Sequence, residues 1–129
     1  MDLATLKGQF ITDVELAAET LARVIERLLD YCTVGKDGRV DVKNTQLPAK
    51  VQVRLILASR LAASKLDDGI LAEVSIDELA EFAALPRDQA TARAKDAVDT
   101  GFAERTGRGA YRARSRKVEQ FLIELERAK

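Results

Sequence analysis

The residues of this chain that are best suited to binding chemistry are arginines interleaved with glycines. Between residues 86 and 117 there are nine basic and four acidic residues, although the whole chain of 129 residues carries 21 of each. The arginines at the centre of this segment are Arg105, Arg108, Arg112 and Arg114. Arginine presents forked N–H donors to phosphate oxygens, and glycine allows the backbone to turn tightly. The pattern predicts an anion-binding turn, with nucleic-acid phosphate as the expected anion.

Residue types that support catalysis or metal binding are scarce. The chain has no histidine, the most common general base and metal ligand. Its single cysteine, Cys32, is expected to be a buried structural thiol because no imidazole is present to activate it. Gly35-Lys36-Asp37-Gly38 lacks the phosphate-loop spacing and predicts a hairpin turn instead. We therefore expect a protein that is not an enzyme and has no cofactor or metal site. Pairs of carboxylates that meet in space remain the open alternative.

Two helices and a tight turn are predicted to precede the arginine-rich segment. Ser75-Ile76-Asp77-Glu78 has the Ser-x-x-Glu spacing of a capping box, which opens a short helix. Leu85-Pro86 ends that helix, because the residue before proline avoids helical geometry. A second helix is predicted over Arg87–Thr100, followed by a left-handed cap at Gly101. Its inner stripe comprises Ala90, Ala94, Ala97 and Val98.

A β-hairpin with a basic tip is predicted over residues 102–114, between Phe102 and Tyr111. The resulting order is helix, strand, short helix, turn, helix and two-stranded wing. It resembles the winged helix-turn-helix superfamily over about 65 residues, half of the chain. The residues that carry the resemblance are Ser75–Ala80, Leu85-Pro86, Thr100-Gly101-Phe102, Glu104-Arg105 and Gly107-x-Gly109-x-Tyr111.

The resemblance implies that Arg87–Thr100 is a recognition helix, whose outward positions face the major groove of DNA. Those positions are Arg87, Gln89, Thr91, Ala92, Arg93 and Asp96. Arginine can pair with guanine and glutamine with adenine, whereas Lys95 is expected to meet a phosphate. Arg105 and Arg108 would contact the backbone or the minor groove. The basic strip would continue through Arg112, Arg114, Arg116 and Lys117. The alternative is an ordinary solvated face, since Asp88, Asp96 and Asp99 alternate with the basic residues.

The remaining segments predict three more helices and a further hairpin. The first helix is expected to begin at Thr12, where Thr12 and Glu15 have capping-box spacing. A hairpin is predicted over Thr33–Val42, with its turn at Asp37-Gly38. A long, centrally buried helix is expected from Pro48 to Asp67, followed by a strand over Ile70–Val74. The last helix is expected to span Ser115–Ala128.

The predicted fold class is mainly α with small β-hairpins. Residues 1–47 would form an N-terminal helix and hairpin subdomain, residues 48–114 a winged helix-turn-helix domain, and residues 115–129 a C-terminal helix. The first and last helices carry apolar stripes at helical spacing. Such stripes suit either packing on the chain's own core or the interface of a homodimer, and we expect a homodimer.

The function expected from these features is binding of double-stranded DNA by a small prokaryotic transcriptional regulator. The alternative is a winged-helix scaffold that binds a protein partner and does not contact DNA. No stretch of 18 or more apolar residues is present, so no membrane span is expected. The N-terminal residues lack the features of a secretory signal, and a cytoplasmic location is expected.

Overall fold

The structure is a computed structural model that describes residues 2–3 and 18–128. From residue 18 onward the helices are α1 (Ala18–Leu28), α2 (Ala49–Leu66), α3 (Ile76–Phe82), α4 (Arg87–Asp99) and α5 (Ser115–Arg127). The strands are β1 (Cys32–Val34), β2 (Val40–Val42), β3 (Val74–Ser75), β4 (Ala103–Gly107) and β5 (Ala110–Ala113). The predicted helix start at Thr12 and its capping box with Glu15 lie outside the described residues. None of the described helices is long and apolar enough to cross a lipid bilayer.

Helix α2 is the centre of the packing. Its sequence is apolar around most of its circumference, and it is buried almost continuously from Gln52 to Ala62. It begins directly after Pro48, as predicted, and contacts α1, α3, α4, β1, β2 and β5. The buried residues form one cluster that includes Val24 of α1 and Leu122 of α5. The three segments predicted from the sequence therefore share a hydrophobic core.

The first sheet is the hairpin that the sequence predicts at Thr33–Val42. Strands β1 and β2 pair antiparallel, with Cys32 opposite Val42 and Val34 opposite Val40. Gly38 has a φ of 87°, so the Asp37-Gly38 turn uses the conformational freedom that only glycine has at low energy. This prediction is confirmed.

The second sheet has the strand order β3-β5-β4, so the strand before α3 joins the later hairpin. The prediction of a strand over Ile70–Val74 is wrong in its bounds, because only Val74 and Ser75 pair with β5. The carbonyl oxygens of Leu71 and Glu73 accept hydrogen bonds from Arg60 instead, at 2.7 and 2.8 Å. A buried side chain thus takes the place of a neighbouring strand.

Helices α3 and α4 are separated at Leu85-Pro86, as predicted. Both hydrogen bonds of the capping box are present at 3.1 Å, from Glu78 N–H to Ser75 Oγ and from Ser75 N–H to Glu78 Oε1. Helix α3 then ends in a Schellman motif, in which the Leu85 N–H donates to the Ala80 carbonyl. The left-handed residue of this motif is Ala84, with a φ of 53°.

The last helix packs on its own chain, which is the first of the two arrangements considered from sequence. Val118 and Leu122 of α5 are fully buried, as is Val24 of α1. Two ion pairs also join these helices: Arg23 and Arg27 of α1 pair with Glu119 and Glu126 of α5. The described parts of both apolar stripes therefore contribute to the core of a single chain.

Candidate nucleic-acid interface

Helix α4 has two distinct faces. Its inner residues Ala90, Ala94 and Ala97 have no exposed surface, and they bring the helix close to α2, α3 and β4. The predicted contact residues lie on the outer face: Arg87, Gln89, Thr91 and Lys95 are exposed, whereas Arg93 is half-buried. The small side chains beneath α4 allow close packing, and this packing fixes the outward positions relative to the rest of the molecule.

Three of the predicted contact residues on α4 already have partners within the chain. Arg87 forms an ion pair with Asp77 of α3. The Nε atom of Arg93 lies 3.1 Å from Oδ2 of Asp96, one turn further along the helix. Thr91 Oγ1 donates a hydrogen bond of 2.9 Å to the carbonyl oxygen of Arg87. Gln89 and Lys95 form no side-chain hydrogen bond or ion pair with another described residue. Their polar groups are therefore available to bind a ligand without first breaking a contact within the chain.

The tip of the β4–β5 hairpin carries two exposed cations. Arg105 ends the regular pairing of β4 with β5, and a bulge lies between it and Gly107. Its Nε atom donates a hydrogen bond of 3.1 Å to the Gly107 carbonyl oxygen, and the side chain is otherwise exposed. Arg108 is also exposed, in the turn itself. Within residues 18–128, no carboxylate lies within 4 Å of the charged atoms of either arginine.

Arg112 and Arg114 have a different environment, because Glu104 lies beside them. Glu104 is opposite Arg112 in the strand register, and Arg112 Nε donates to its Oε1 at 3.1 Å. This hydrogen bond lowers the pKa of Glu104 below its ordinary value, and the positive charges of Arg112 and Arg114 lower it further. Burial acts in the opposite direction, but it is outweighed. Glu104 is therefore ionised at neutral pH and offsets part of the positive charge. Arg114 is half-buried, and its Nε atom has no hydrogen-bond partner among the described residues.

The register also decides which side of the hairpin each arginine occupies. Arg105 pairs with Tyr111, and the adjacent pair is Glu104 with Arg112. Side chains of successive residues in a strand point to opposite faces. Arg105 and Arg112 thus lie on opposite faces of the hairpin, and the basic strip expected from the sequence is divided between them.

The base of the hairpin is held to α4 and α2 by Phe102. This buried ring makes an edge contact with Phe121, with centroids 5.1 Å apart, and the guanidinium of Arg54 lies 5.6 Å from its centroid. The Phe102 N–H donates to the Ala97 carbonyl at 2.9 Å, directly after the end of α4. Arg54 also donates to Thr100 Oγ1 at 3.1 Å. The hairpin is therefore fixed beside the C-terminal end of α4.

Two carboxylates that pair with arginines of this interface, Asp77 and Glu104, were not predicted from the sequence. Glu104 could have been found by placing the turn at 107–109 and counting outward, which sets it opposite Arg112. The contact of Asp77 with Arg87 depends on how α3 and α4 pack together, and no local pattern predicts it.

No group of three or more potential metal ligands occurs among the residues that the structure describes. Comparison of the chain with protein-family models, with curated proteins and with solved structures found no match.

Proposed function

We propose that this chain is a cytoplasmic, prokaryotic transcriptional regulator that binds double-stranded DNA as a winged helix-turn-helix protein. In this proposal α4 enters the major groove and the β4–β5 hairpin is the wing. The order of α2, β3, α3, α4 and the hairpin supports it, as does the pairing of β3 with β5. The proposal is for a binding protein and not an enzyme.

The observation that carries the proposal is the pair of exposed arginines at the wing tip. Arg105 and Arg108 form no ion pair with the described carboxylates, in a chain where many other arginines do. An arginine without a carboxylate partner can bind a DNA phosphate without first breaking an existing ion pair. Release of counterions from the DNA then favours the complex, most strongly at low salt.

The experiment is a fluorescence-anisotropy titration of the full chain with random-sequence duplex DNA at several salt concentrations. We expect binding that weakens as salt rises, and a double variant Arg105→Gln/Arg108→Gln that binds less tightly. Its plot of log affinity against log salt should be shallower by about one unit for each lost phosphate contact. The matched control is Lys36→Gln/Arg127→Gln, which removes two exposed charges from other elements and should match the wild type.

A second function, binding of an acidic protein partner, is favoured by a different observation. Arg87, Arg93 and Arg112 are all paired with carboxylates, and the net charge of the chain is zero. Such a surface attracts DNA only weakly over long distances. If the wild type shows no salt-dependent DNA binding at low ionic strength, the DNA proposal fails and this scaffold function takes its place.

The proposed regulator is a homodimer, as two DNA half-sites would require. The apolar stripes of α1 and α5 do not supply that interface in their described parts, because they are buried within the chain. Among the residues that the structure describes, Leu3 and Leu71 are exposed apolar residues at 84% and 66%, and they lie outside those buried stripes. Light scattering at high micromolar concentration should give the mass of two chains, and the mass of one chain would refute the dimer.

A further inference from the structure

A cavity of about 270 Å³ lies between α1, β1 and the C-terminal half of α2. On α2 it is lined by Ser59, Ala62, Ala63 and Leu66, which share one face of the helix. The remaining wall comes from α1, β1 and the turns that follow, including Ile25, Leu28, Leu29, Cys32, Val34 and Ile70. None of the lining residues belongs to α3, α4 or the β4–β5 hairpin, so the cavity is separate from the proposed DNA interface.

The walls of the cavity are mainly apolar. Its two charged lining residues, Lys36 and Asp67, are exposed and have opposite signs. An ionised ligand would lose its hydration on entering and gain no buried counter-charge. An uncharged, apolar ligand would lose little and would remove apolar wall surface from water.

The depth of the cavity distinguishes it from a flat docking surface. Cys32 and Ser59 line it although each is only 3% exposed, whereas Leu29 and Leu66 are 50% and 68% exposed. The wall therefore runs from exposed leucines to residues of the core. Such a concave site can enclose a small molecule on several sides, which a flat surface cannot do.

The volume sets the size of the ligand. An engineered apolar cavity of ~150 Å³ binds benzene. The cavity here is nearly twice as large, which corresponds to two fused rings. We propose that it binds an uncharged, apolar molecule of the size of a bicyclic aromatic ring, such as indole or naphthalene.

Indole is the probe for the test, because it is uncharged and more soluble in water than naphthalene. We expect calorimetry with the full chain to show saturable binding at one site per chain. Ala63→Leu fills the cavity from the α2 wall and should weaken binding by about tenfold or more, ~1.4 kcal/mol. The control Ala49→Leu enlarges another half-buried alanine of α2 outside the cavity and should bind as the wild type does. Indole-3-acetate, the anionic analogue, should bind more weakly than indole.

A measurement on the wild type keeps the test valid if Ala63→Leu fails to fold. Intermolecular nuclear Overhauser effects from the indole ring should reach the methyl groups of Ile25, Leu28 and Val34. Three results would overturn the proposal: no saturation up to the solubility of indole, contacts only to methyl groups elsewhere, or equal affinity in a folded Ala63→Leu variant. Self-association of the chain that Ala63→Leu abolishes, without indole binding, would assign the cavity to a second copy. All of these readouts are made without DNA, so they stand apart from the test of the proposed function.

Discussion

Arg60 Nη1 lies 2.6 Å from Glu78 Oε2, and this ion pair joins the middle of α2 to the first turn of α3. The Arg60 side chain is only 6% exposed. Its guanidinium also donates to the carbonyl oxygens of Gly38, Leu71 and Glu73, at 3.1, 2.7 and 2.8 Å. One side chain thereby fixes the β1–β2 turn, the segment before β3 and the start of α3 with respect to α2.

Replacement of this arginine should be among the most destabilising single changes in the chain. Arg60→Met keeps the apolar stem but removes the donor to Glu78 Oε2 and to three carbonyl oxygens. Each buried carbonyl oxygen left without a donor costs about 1–3 kcal/mol, whereas the ion pair adds less because the Glu78 side chain is 35% exposed, so the total loss should be about 3–5 kcal/mol. The free energy of unfolding in urea measures the loss. The control Arg23→Met breaks an exposed ion pair with Glu119 and should cost far less, because solvent and salt screen an exposed pair. Equal losses in the two variants would contradict the role assigned to Arg60.

The same ion pair should make stability depend on acid pH. Burial raises the pKa of Glu78, but hydrogen bonds from Arg60 and Ser75 together with the Arg60 charge outweigh it, so the pKa is lowered. A carboxyl with a depressed pKa in the folded state stabilises the fold above its unfolded pKa, and this contribution is lost as pH falls. The stability difference between wild type and Glu78→Gln should therefore be constant from neutral pH to about pH 5 and shrink below about 4.5. Urea titrations across that range measure it, and a difference that grows on acidification would disprove the argument.

Two helix ends in the proposed DNA-binding region should respond in opposite ways to exchange of alanine and glycine. Ala84 and Gly101 both follow a helix cap in the left-handed conformation, with φ of 53° and 81°. An L-residue pays a steric penalty there that glycine does not. Ala84→Gly should stabilise the fold by about 0.5–1 kcal/mol and Gly101→Ala should destabilise it by about 1 kcal/mol. A Cβ atom at Gly101 meets nothing within 4 Å, so the effect there is conformational and not a clash. Thermal unfolding of both variants gives the two signs, and shifts in the same direction would count against this account.

Removal of one carboxylate should strengthen DNA binding if the wing contacts phosphates. Glu104→Gln removes the charge that offsets Arg112 and Arg114. Affinity for random duplexes should rise, and the salt dependence should steepen by up to about one unit. The control Glu124→Gln removes an exposed carboxylate from α5 and should have little effect. Unchanged affinity in the anisotropy assay would show that this face of the hairpin does not approach DNA.

Base readout is best tested at Gln89, which is exposed on α4 and has no described side-chain partner. Gln89→Ala should lose about 1–3 kcal/mol on a duplex selected from a random pool and little on unselected DNA. Arg93→Ala should have a smaller specific effect, because Arg93 is half-buried and paired with Asp96. Equal losses on selected and unselected duplexes would assign Gln89 to backbone contact.

Local patterns predicted much of the fold. The capping box at Ser75, the break at Leu85-Pro86 and the Asp37-Gly38 turn depend on residues within four positions of each other, and all three are present. Arg60 was not predicted to be buried, because its partners Gly38 and Glu78 are 22 and 18 residues away. Its position among the apolar residues of α2 was the available signal.

The candidate interface was less predictable than the fold. Sequence periodicity placed Arg87, Gln89, Thr91 and Lys95 on the outer face of α4, where the structure has them exposed. Periodicity gives the direction of a side chain but not its neighbours across the fold. The ion pairs of Arg87 with Asp77 and of Arg112 with Glu104 depend on helix packing and strand register, which emerge only in three dimensions.

The alanines beneath α4 have a consequence for how this surface can change over generations. Ala90, Ala94 and Ala97 are packed without exposed surface, so a larger side chain at any of them would push the helix outward. Gln89 and Lys95 lie on the opposite, exposed face of the helix, where a substitution does not enter the core. Mutation can therefore alter what α4 presents while selection for folding preserves where it is presented. A lineage carrying this scaffold could change the chemistry of one helix face through a few substitutions while the alanine-packed face beneath it stays the same.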